Sequence, residues 1–234
     1  MTTFTEILDN WDIDIDDQKL ACFEKYYELL ISWNERFNLT SVTDKEQVYI
    51  RHFSDSIALM HYTDIAGKKI LDVGSGAGFP GIVLAIMCST CEIVLLDSLQ
   101  KRTVFLESVC KELGLYNVKV LWGRAEETGH DTLYRENFDI VTSRAVAGLD
   151  VLCEYCIPFV KFGGMFVSYK SGDSDEEEAG AGNAISVLGG CLLKTEKYNL
   201  PFTDISRSLI FIEKSSDTPE RYPRRAGKPL KKPL

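Results

Sequence analysis

Residues 71–81, Leu-Asp-Val-Gly-Ser-Gly-Ala-Gly-Phe-Pro-Gly, constrain this chain more than any other stretch. A short apolar segment, KILDVG (69–74), has the composition of a buried strand, and the apolar run Gly81–Met87 that follows suits a helix. Between them Gly74, Gly76 and Gly78 alternate with small residues, and Pro80 falls where the first helical position is expected. Glycines there let the backbone turn sharply and bring its N–H groups close to a ligand. The start of the helix adds the positive end of its dipole. A strand, a glycine turn and a helix in this order predict a ligand-binding turn, since a merely tight turn does not require three alternating small residues.

The same glycines can be read in two registers. From Gly76, the segment Gly76-Ala77-Gly78-Phe79-Pro80-Gly81 matches G-x-G-x-x-G, the dinucleotide fingerprint, and Asp97 stands 21 residues on, where an acid for a ribose belongs. From Gly74, the residues give D-x-G-x-G-x-G, which resembles motif I of the class I S-adenosylmethionine-dependent methyltransferases, and Asp97 suits that register equally. Three features favour the second. The turn opens at Gly74, which leaves Gly81 inside the helix. Asp72 puts a carboxylate at the strand end, unfavourable beside a pyrophosphate and favourable beside a sulfonium or ammonium. Gly123-Arg124-Ala125-Glu126-Glu127 follows the third strand, where such methyltransferases hold adenine.

The remainder of the chain supplies the frame for that turn. EIVLLD (92–97), VKVLWG (118–123), FDIVTSR (138–144) and GGMFVSYKS (163–171) read as strands, alternating with helices at 101–113, closed by Gly114, and 149–159. Strands at 191–200 and 208–214 follow an acidic helix-like stretch at 173–189. Apolar, two-sided strands alternating with helices predict a mostly parallel sheet of seven strands covered on both faces, an α/β Rossmann-like doubly wound fold. Ahead of it, Leu20, Phe23, Tyr26, Tyr27, Leu30, Ile31 and Trp33 recur at helical spacing after Asp16 and Asp17, and a second helix is expected over 46–62. The expected organisation is an N-terminal helical extension (1–64), the Rossmann-like domain (65–216) and a basic C-terminal tail (217–234).

The net charge is −9, but the last fourteen residues, RYPRRAGKPLKKPL, carry six cations and no acid, leaving −15 on the rest. With three prolines the tail is expected to form neither a helix nor a core strand, and its charge suggests a polyanionic partner. No apolar run is long enough for a membrane span, and the acidic N-terminus lacks the basic region of a secretory signal, so a soluble cytoplasmic protein is expected. Seven scattered cysteines fit a reducing compartment. Cys88/Cys91 and Cys153/Cys156 have the spacing of a four-thiolate zinc site, but the first pair flanks a helix-to-strand turn and the second lies within a helix. Core packing is the expected role of both, and no metal is expected.

Taken together, LDVGSGAGFPGIVLAI, LLDSLQKRTVFLE, GRAEE, FDIVTSRAVA, the upstream RHFSDSIAL and the basic tail resemble the guanine-N7 methyltransferases of 16S (small-subunit) ribosomal RNA, also called the glucose-inhibited division protein B family. The resemblance runs from about Asn34 to the C-terminus. It implies S-adenosylmethionine as cofactor, held by Gly74, Gly76, Gly78, Phe79, Asp97 (on the ribose), Ala125, Glu126 and Arg144. Asp72 would either touch the ligand or cap backbone N–H groups, and Glu126 would either bind through the backbone or stand as an exposed acid at a helix start. Guanine N7 has an in-plane lone pair and no proton at neutral pH, so the transfer needs in-line positioning and desolvation and no general base. No catalytic acid or base is therefore expected, with Arg144 the one candidate helper. Thr142-Ser143-Arg144-Ala145 stands where amino-methylating enzymes carry an Asn/Asp-Pro-Pro-aromatic tetrad.

Arg144, at the carboxyl end of a strand, would hold the donor's carboxylate, the guanine edge or a phosphate, or else form an ion pair. Arg51, His52, Arg102, Lys170, Arg207, Arg221, Arg224 and Arg225 are the candidate RNA contacts. Asp173–Glu178 reads as a solvated helix start that repels RNA. The expected partner is 16S rRNA or the small ribosomal subunit, and nothing demands a dimer. Two rival readings are a NAD-dependent oxidoreductase, using the G-x-G-x-x-G register, and a non-catalytic RNA-binding protein.

Overall fold

The strands are β1 (Lys69–Val73), β2 (Glu92–Asp97), β3 (Val118–Trp122), β4 (Phe138–Arg144), β5 (Val160–Ser171), β6 (Gly190–Asn199) and β7 (Ser206–Lys214). They form one seven-stranded sheet in the order β3-β2-β1-β4-β5-β7-β6, in a computed structural model that describes residues 2–234, with side chains from Phe4 onward. The pairs β1–β2, β2–β3, β1–β4 and β4–β5 are parallel, and β7 runs antiparallel between β5 and β6. The chain winds from β1 outward to β3, then returns to place β4 on the other side of β1. The carboxyl ends of β1 and β4 therefore open onto a crevice, the place where doubly wound sheets bind ligands.

Successive strand residues point to opposite faces, and two apolar clusters follow. Ile70, Ile93, Leu95, Ile140, Val167 and Phe211 belong to the cluster that includes α5 (Gly81–Met87) and α6 (Gln100–Leu113), while Leu71, Val73, Leu96, Val141, Phe166 and Ile212 belong to the one that includes α8 (Leu149–Cys156) and α9 (Asp175–Val187). Burying side chains of this size is worth roughly 1.5–3 kcal/mol each, so the two faces hold the sheet from both sides. Helices α1 (Thr2–Asn10) and α2 (Asp17–Phe37) join the first cluster, because Phe4, Phe23 and Tyr49 close around Phe53 with ring centroids 4.8–6.4 Å apart. Asp16 starts α2 as its N-cap, accepting from the Lys19 N–H at 2.7 Å, and Asn38 ends it in the left-handed region at φ 51°.

Several elements depart from expectation. The helix expected over 46–62 is three pieces in succession: α3 (Lys45–Val48), a π-helical stretch Tyr49–Ser54, and α4 (Asp55–Tyr62). Hydroxyls follow the widened turn, with Ser54 donating to the Tyr49 carbonyl (3.0 Å) and Ser56 to that of His52 (2.6 Å). Such widened turns occur frequently at functional sites, and this one carries Arg51 and His52. Pro80 is the N-cap of α5 rather than its first residue. The helix expected over 149–159 ends at Cys156 and continues as a 3₁₀ turn, Ile157–Phe159, because Pro158 supplies no N–H. A further short helix, α7 (Ala125–Thr128), follows β3.

The tail differs most. A short helix, α10 (Lys228–Lys231), forms despite the prolines, since Pro229 lies in its first turn, where a missing N–H is harmless. The segment leading to it is strapped to the body. Arg135 donates to the carbonyls of Thr218 (2.6 Å), Tyr222 (2.8 Å) and Gly129 (3.0 Å). The Arg224 guanidinium meets both oxygens of buried Glu154, at 2.9 and 2.5 Å, and its backbone N–H donates to the same carboxylate at 2.6 Å. Removing one partner of a buried pair costs about 3–5 kcal/mol. Glu154→Ala is expected to lower unfolding free energy by about 3 kcal/mol in urea titration and to speed trypsin cleavage at Arg225. An unchanged cleavage rate would show that the strap holds without this pair.

Candidate functional site

The glycine turn is fixed by groups from three directions. The Gly74 N–H donates to the Leu96 carbonyl at 2.8 Å, joining the turn to β2. The Gly76 N–H donates to Asp97 Oδ2 and the Leu99 N–H to Asp97 Oδ1, both at 2.8 Å, so one carboxylate ties together the turn and the start of α6. From α2, the Tyr26 hydroxyl reaches the Ala77 carbonyl at 2.5 Å. Gly78 sits beneath that contact at φ 96°, and a Cβ there would lie 2.5 Å from the Tyr26 hydroxyl oxygen. Gly74 has φ 73°, and its Cβ would lie 2.5 Å from Val146 Cγ2. Both positions exclude side chains: Gly74 at the wall of the crevice, and Gly78 on the core side, where the turn closes against Tyr26 and Ile82.

Asp72 resolves the alternative left open for it. It is fully buried, with Oδ2 accepting from the Gly81 N–H at 3.1 Å and Oδ1 from the Thr142 hydroxyl at 3.0 Å. Burial pushes its carboxyl up to about 6 against those hydrogen bonds. It caps α5 and lines no part of the crevice. Gly81 is the first residue of α5, and a Cβ there would lie 2.2 Å from Leu95 Cδ2. It therefore serves close helix–sheet packing, the job of the third glycine of the dinucleotide fingerprint. Its place in the helix does not separate the two registers, contrary to expectation.

Two adjoining cavities lie over the turn. One, of about 410 Å³, has Gly74, Gly76, Phe79, Asp97, Arg102 and Arg144 in its wall. The other, of about 220 Å³, is lined by Gly74, Gly123, Arg124, Ala125, Glu126 and Tyr155. Val146 stands between them on Gly74, in a loop whose Ala145 adopts φ 57°. Cavities of this combined size are in the range that takes a cofactor-sized molecule. The backbone cradle at Gly74–Ala77 and the Asp97 carboxylate in the wall of the larger cavity suit a nucleoside with two ribose hydroxyls. Glu126, for which an exposed helix-start acid was the alternative to a cofactor role, is buried, and its Oε1 accepts from the Gly227 N–H of the tail at 2.9 Å. Leu230 of the tail also lines the smaller cavity.

A third cavity, of about 380 Å³, gathers Arg51, His52, Arg144, Lys170 and Arg207 around Asp55. Residues scattered over more than 150 positions of chain thus share one wall. Asp55 is buried and pairs with both Arg144 (Oδ2 to Nη1, 2.9 Å) and Arg207 (Oδ1 to Nε, 3.1 Å). Arg144 also donates to the Arg51 carbonyl (3.2 Å) and lies 3.3 Å from His52 Nδ1, with its guanidinium 5.0 Å from the Phe79 ring centre. The His52 ring stacks on the same phenyl at 4.6 Å and meets the Thr40 hydroxyl at 2.9 Å. Arg144 and His52 line the larger glycine-turn cavity as well, so they form the partition between the two spaces.

The other candidate RNA contacts are differently placed. Arg102 reaches Asp97 at 3.5 Å and belongs to the glycine-turn cavity. Lys170 donates to the Ala147 carbonyl (3.0 Å) and pairs with Glu177 (2.6 Å). Arg221 and Arg225 are exposed, whereas Arg224 is half-buried and engaged by Glu154. Asp173 and Asp175 are exposed as expected, paired with Lys197 at 2.9 and 2.5 Å. Asp55 was expected to face RNA beside Arg51 and His52, and it stands at the centre of their cavity; Tyr26, Val146 and Leu230 were not singled out as site residues, since each reads locally as core, loop or tail. The two cysteine pairs lie on opposite faces of the sheet, and no group of three or more metal-ligating side chains occurs among the described residues.

A glycine turn closed by the acid ending β2, under a sheet ordered 3-2-1-4-5-7-6 with one reversed strand, defines the class I S-adenosylmethionine-dependent methyltransferase fold. Solved structures agree: an S-adenosylmethionine-dependent methyltransferase from Aquifex aeolicus superposes with TM-score 0.55 at 17% identity, over 72% of this chain and 93% of that one. M. jannaschii TYW2, solved in complex with AdoMet, superposes with TM-score 0.55 at 13% identity over 70% and 76%. Sequence comparison is more specific. The model of the rRNA small subunit methyltransferase G family matches residues 19–206. Proteins named ribosomal RNA small subunit methyltransferase G are 46% identical in Lactococcus lactis subsp. cremoris (99% of this chain, 98% of that protein) and 46% identical in Geobacillus kaustophilus (100% and 98%). The chain belongs to the rRNA small subunit methyltransferase G family.

Two outcomes follow for the partition. Asp55→Ala strands two arginines and is expected to cost about 3 kcal/mol in stability, as breaking a buried ion pair does, measured by urea unfolding. Burial, and next the charge of Arg144, push His52 down to about 3, so it is neutral at ordinary pH. The unfolded chain takes up this proton near pH 6.5. His52 therefore withdraws stability progressively as pH falls from about 6.5 toward 3. Wild type is expected to lose more stability between pH 7 and pH 4 than His52→Asn does; equal losses would mean that the imidazole is not held neutral.

Proposed function

We propose that this chain transfers the methyl group of S-adenosylmethionine to N7 of a guanine in 16S ribosomal RNA, either naked or within the small subunit. The observation that carries this reading is the partition: Arg144 and His52 belong at once to the glycine-turn cavity and to the arginine-lined one. A methyl donor held on one side and a base entering from the other would meet there. Membership of the rRNA small subunit methyltransferase G family supports both the cofactor and the substrate class.

In this reading Gly74 and Gly76 give backbone room to the cofactor while Gly78 lets the turn close against Tyr26, Asp97 accepts from the ribose hydroxyls, and Ala125-Glu126 flank the base. Phe79 acts through its ring, on which His52 and Arg144 are packed. S-adenosylmethionine supplies an electrophilic methyl on a sulfonium. The chain contributes position and desolvation. N7 brings its own lone pair, so no group need take a proton, and neutral His52 is consistent with that. Arg144, preoriented by Asp55, places its charge where the guanine edge or a backbone phosphate would approach. Arg51 and the exposed tail cations Arg221, Arg225, Lys228, Lys231 and Lys232 extend the positive surface to flanking phosphates. We take the working unit to be a monomer with residues 1–64 and 217–234 flanking the domain 65–216, acting in the cytoplasm and needing no metal. Among the described residues no helix is long and apolar enough to cross a membrane.

The test is methyl transfer from labelled donor to 16S rRNA or small subunits, with the modified guanine mapped, alongside calorimetric titration with S-adenosylhomocysteine and with NAD. S-adenosylhomocysteine should bind and NAD should not. Asp97→Ala should weaken S-adenosylhomocysteine binding at least tenfold, about 1.4 kcal/mol. NAD binding in place of S-adenosylhomocysteine would overturn the assignment. Replacing Arg225, Lys228, Lys231 and Lys232 with Ala should flatten the salt dependence of RNA binding by about 0.7 per lost phosphate contact on single strands, leaving the Arg224–Glu154 strap intact.

A further inference from the structure

The turn between α5 and β2 holds two thiols that methyl transfer does not use. Cys88 caps the carboxyl end of α5, and Cys91 immediately precedes β2. The Cys91 N–H donates to the Cys88 carbonyl at 3.3 Å, which closes a four-residue turn. Such turns hold their end Cα atoms within about 7 Å, overlapping the roughly 4.4–6.8 Å that a disulfide spans. The two sulfurs already lie 2.8 Å apart. The turn is braced from outside, as Asn117 Nδ2 lies 3.3 Å from the Cys88 carbonyl and 3.2 Å from that of Cys91.

The two thiols are unequal. Cys88 is partly accessible, and Cys91 is buried, with its thiol 3.0 Å from the Ile65 carbonyl. Burial raises the Cys88 thiol, but hydrogen bonds from Cys91 and Thr90 outweigh it and leave it below its ordinary value. Burial, and then donation to Cys88, push Cys91 up to about 12. An accessible, more acidic thiol beside a buried, less acidic one is the arrangement of an attacking and a resolving cysteine. The other C-x-x-C pair lacks this asymmetry: Cys153 and Cys156 are both buried, and burial raises both thiols.

We propose that Cys88 and Cys91 form a reversible thiol–disulfide site, in which Cys88 meets a low-molecular-weight disulfide and Cys91 resolves the adduct. The Cys88 thiol loses its proton to solvent, and its sulfur attacks one sulfur of R–S–S–R. A Cys88–S–S–R bond forms and RS⁻ leaves, taking up a proton. Cys91, deprotonated in turn, attacks Cys88 Sγ, forming the Cys88–Cys91 disulfide as the Cys88 Sγ–SR bond breaks, and a second RS⁻ departs and is protonated. Two protein thiols are oxidised by two electrons, and the small disulfide is reduced to two thiols. The site stands at the far end of α5 from the glycine turn, so its chemistry can be read without any assay of methyl transfer.

The experiment treats the full-length protein with oxidised glutathione, alkylates the remaining thiols and maps each cysteine by peptide mass. Exposed Cys191 serves as the internal measure of how strongly the oxidant has acted. In wild type, the 88–91 peptide is expected to lose two hydrogens and retain no glutathione, and excess reduced glutathione should reverse this. Cys91→Ser should trap glutathione on Cys88, and Cys88→Ser should leave Cys91 alkylatable after unfolding. Both thiols remaining alkylatable when Cys191 is modified, or glutathione persisting on Cys88 of the wild type, would overturn the proposal. The wild-type result decides the matter even if a variant folds poorly.

Discussion

Asp97 is the group on which the site depends. Its two oxygens accept the Gly76 and Leu99 N–H groups at 2.8 Å each, locking the glycine turn to the start of α6. A glycine-rich loop left to itself has more conformational freedom to lose than any other segment, and a ligand that ordered it would bind correspondingly less tightly. Asp97, the Tyr26 hydroxyl on Ala77 and the Asp72 cap on Gly81 remove that freedom in advance. The three come from β2, α2 and β1, so the turn is rigid only in the assembled core. Here the N-terminal helices serve the site directly: Tyr26 lies 51 residues before the carbonyl it holds.

The second constraint is charge. Four cations share the wall of one cavity, and like charges packed together repel. Asp55 answers this by pairing with Arg144 and Arg207 at once, which orients both guanidinium groups and offsets part of their repulsion. The π-helical turn at Tyr49–Ser54 places His52 and Asp55 on the crevice side, and Phe79 of the glycine turn provides the surface on which His52 and Arg144 lie. The glycine-turn and arginine-lined cavities are thus joined through packed rings and one ion-pair cluster. The C-terminal strap is built in the same way, with Glu154 neutralising Arg224 while the remaining basic side chains stay outside.

Strands β1 to β7, the glycine turn and Asp97 were legible in the sequence because each is a local matter. Apolar runs, alternating glycines and a fixed spacing to the next strand end do not need distant partners to be recognised. Arg144 and the residues now lining the arginine cavity were also visible as isolated cations, but their grouping was not. What only the tertiary structure decided is where side chains finish. Asp72 turned beneath α5 to satisfy the Gly81 N–H rather than outward to a ligand. Glu126 met the tail, and Arg224 was drawn from solvent to a buried carboxylate 70 residues away. Buried polar groups must find partners wherever the fold supplies them, and those partners are fixed by distance in space, which the order of residues along the chain does not record.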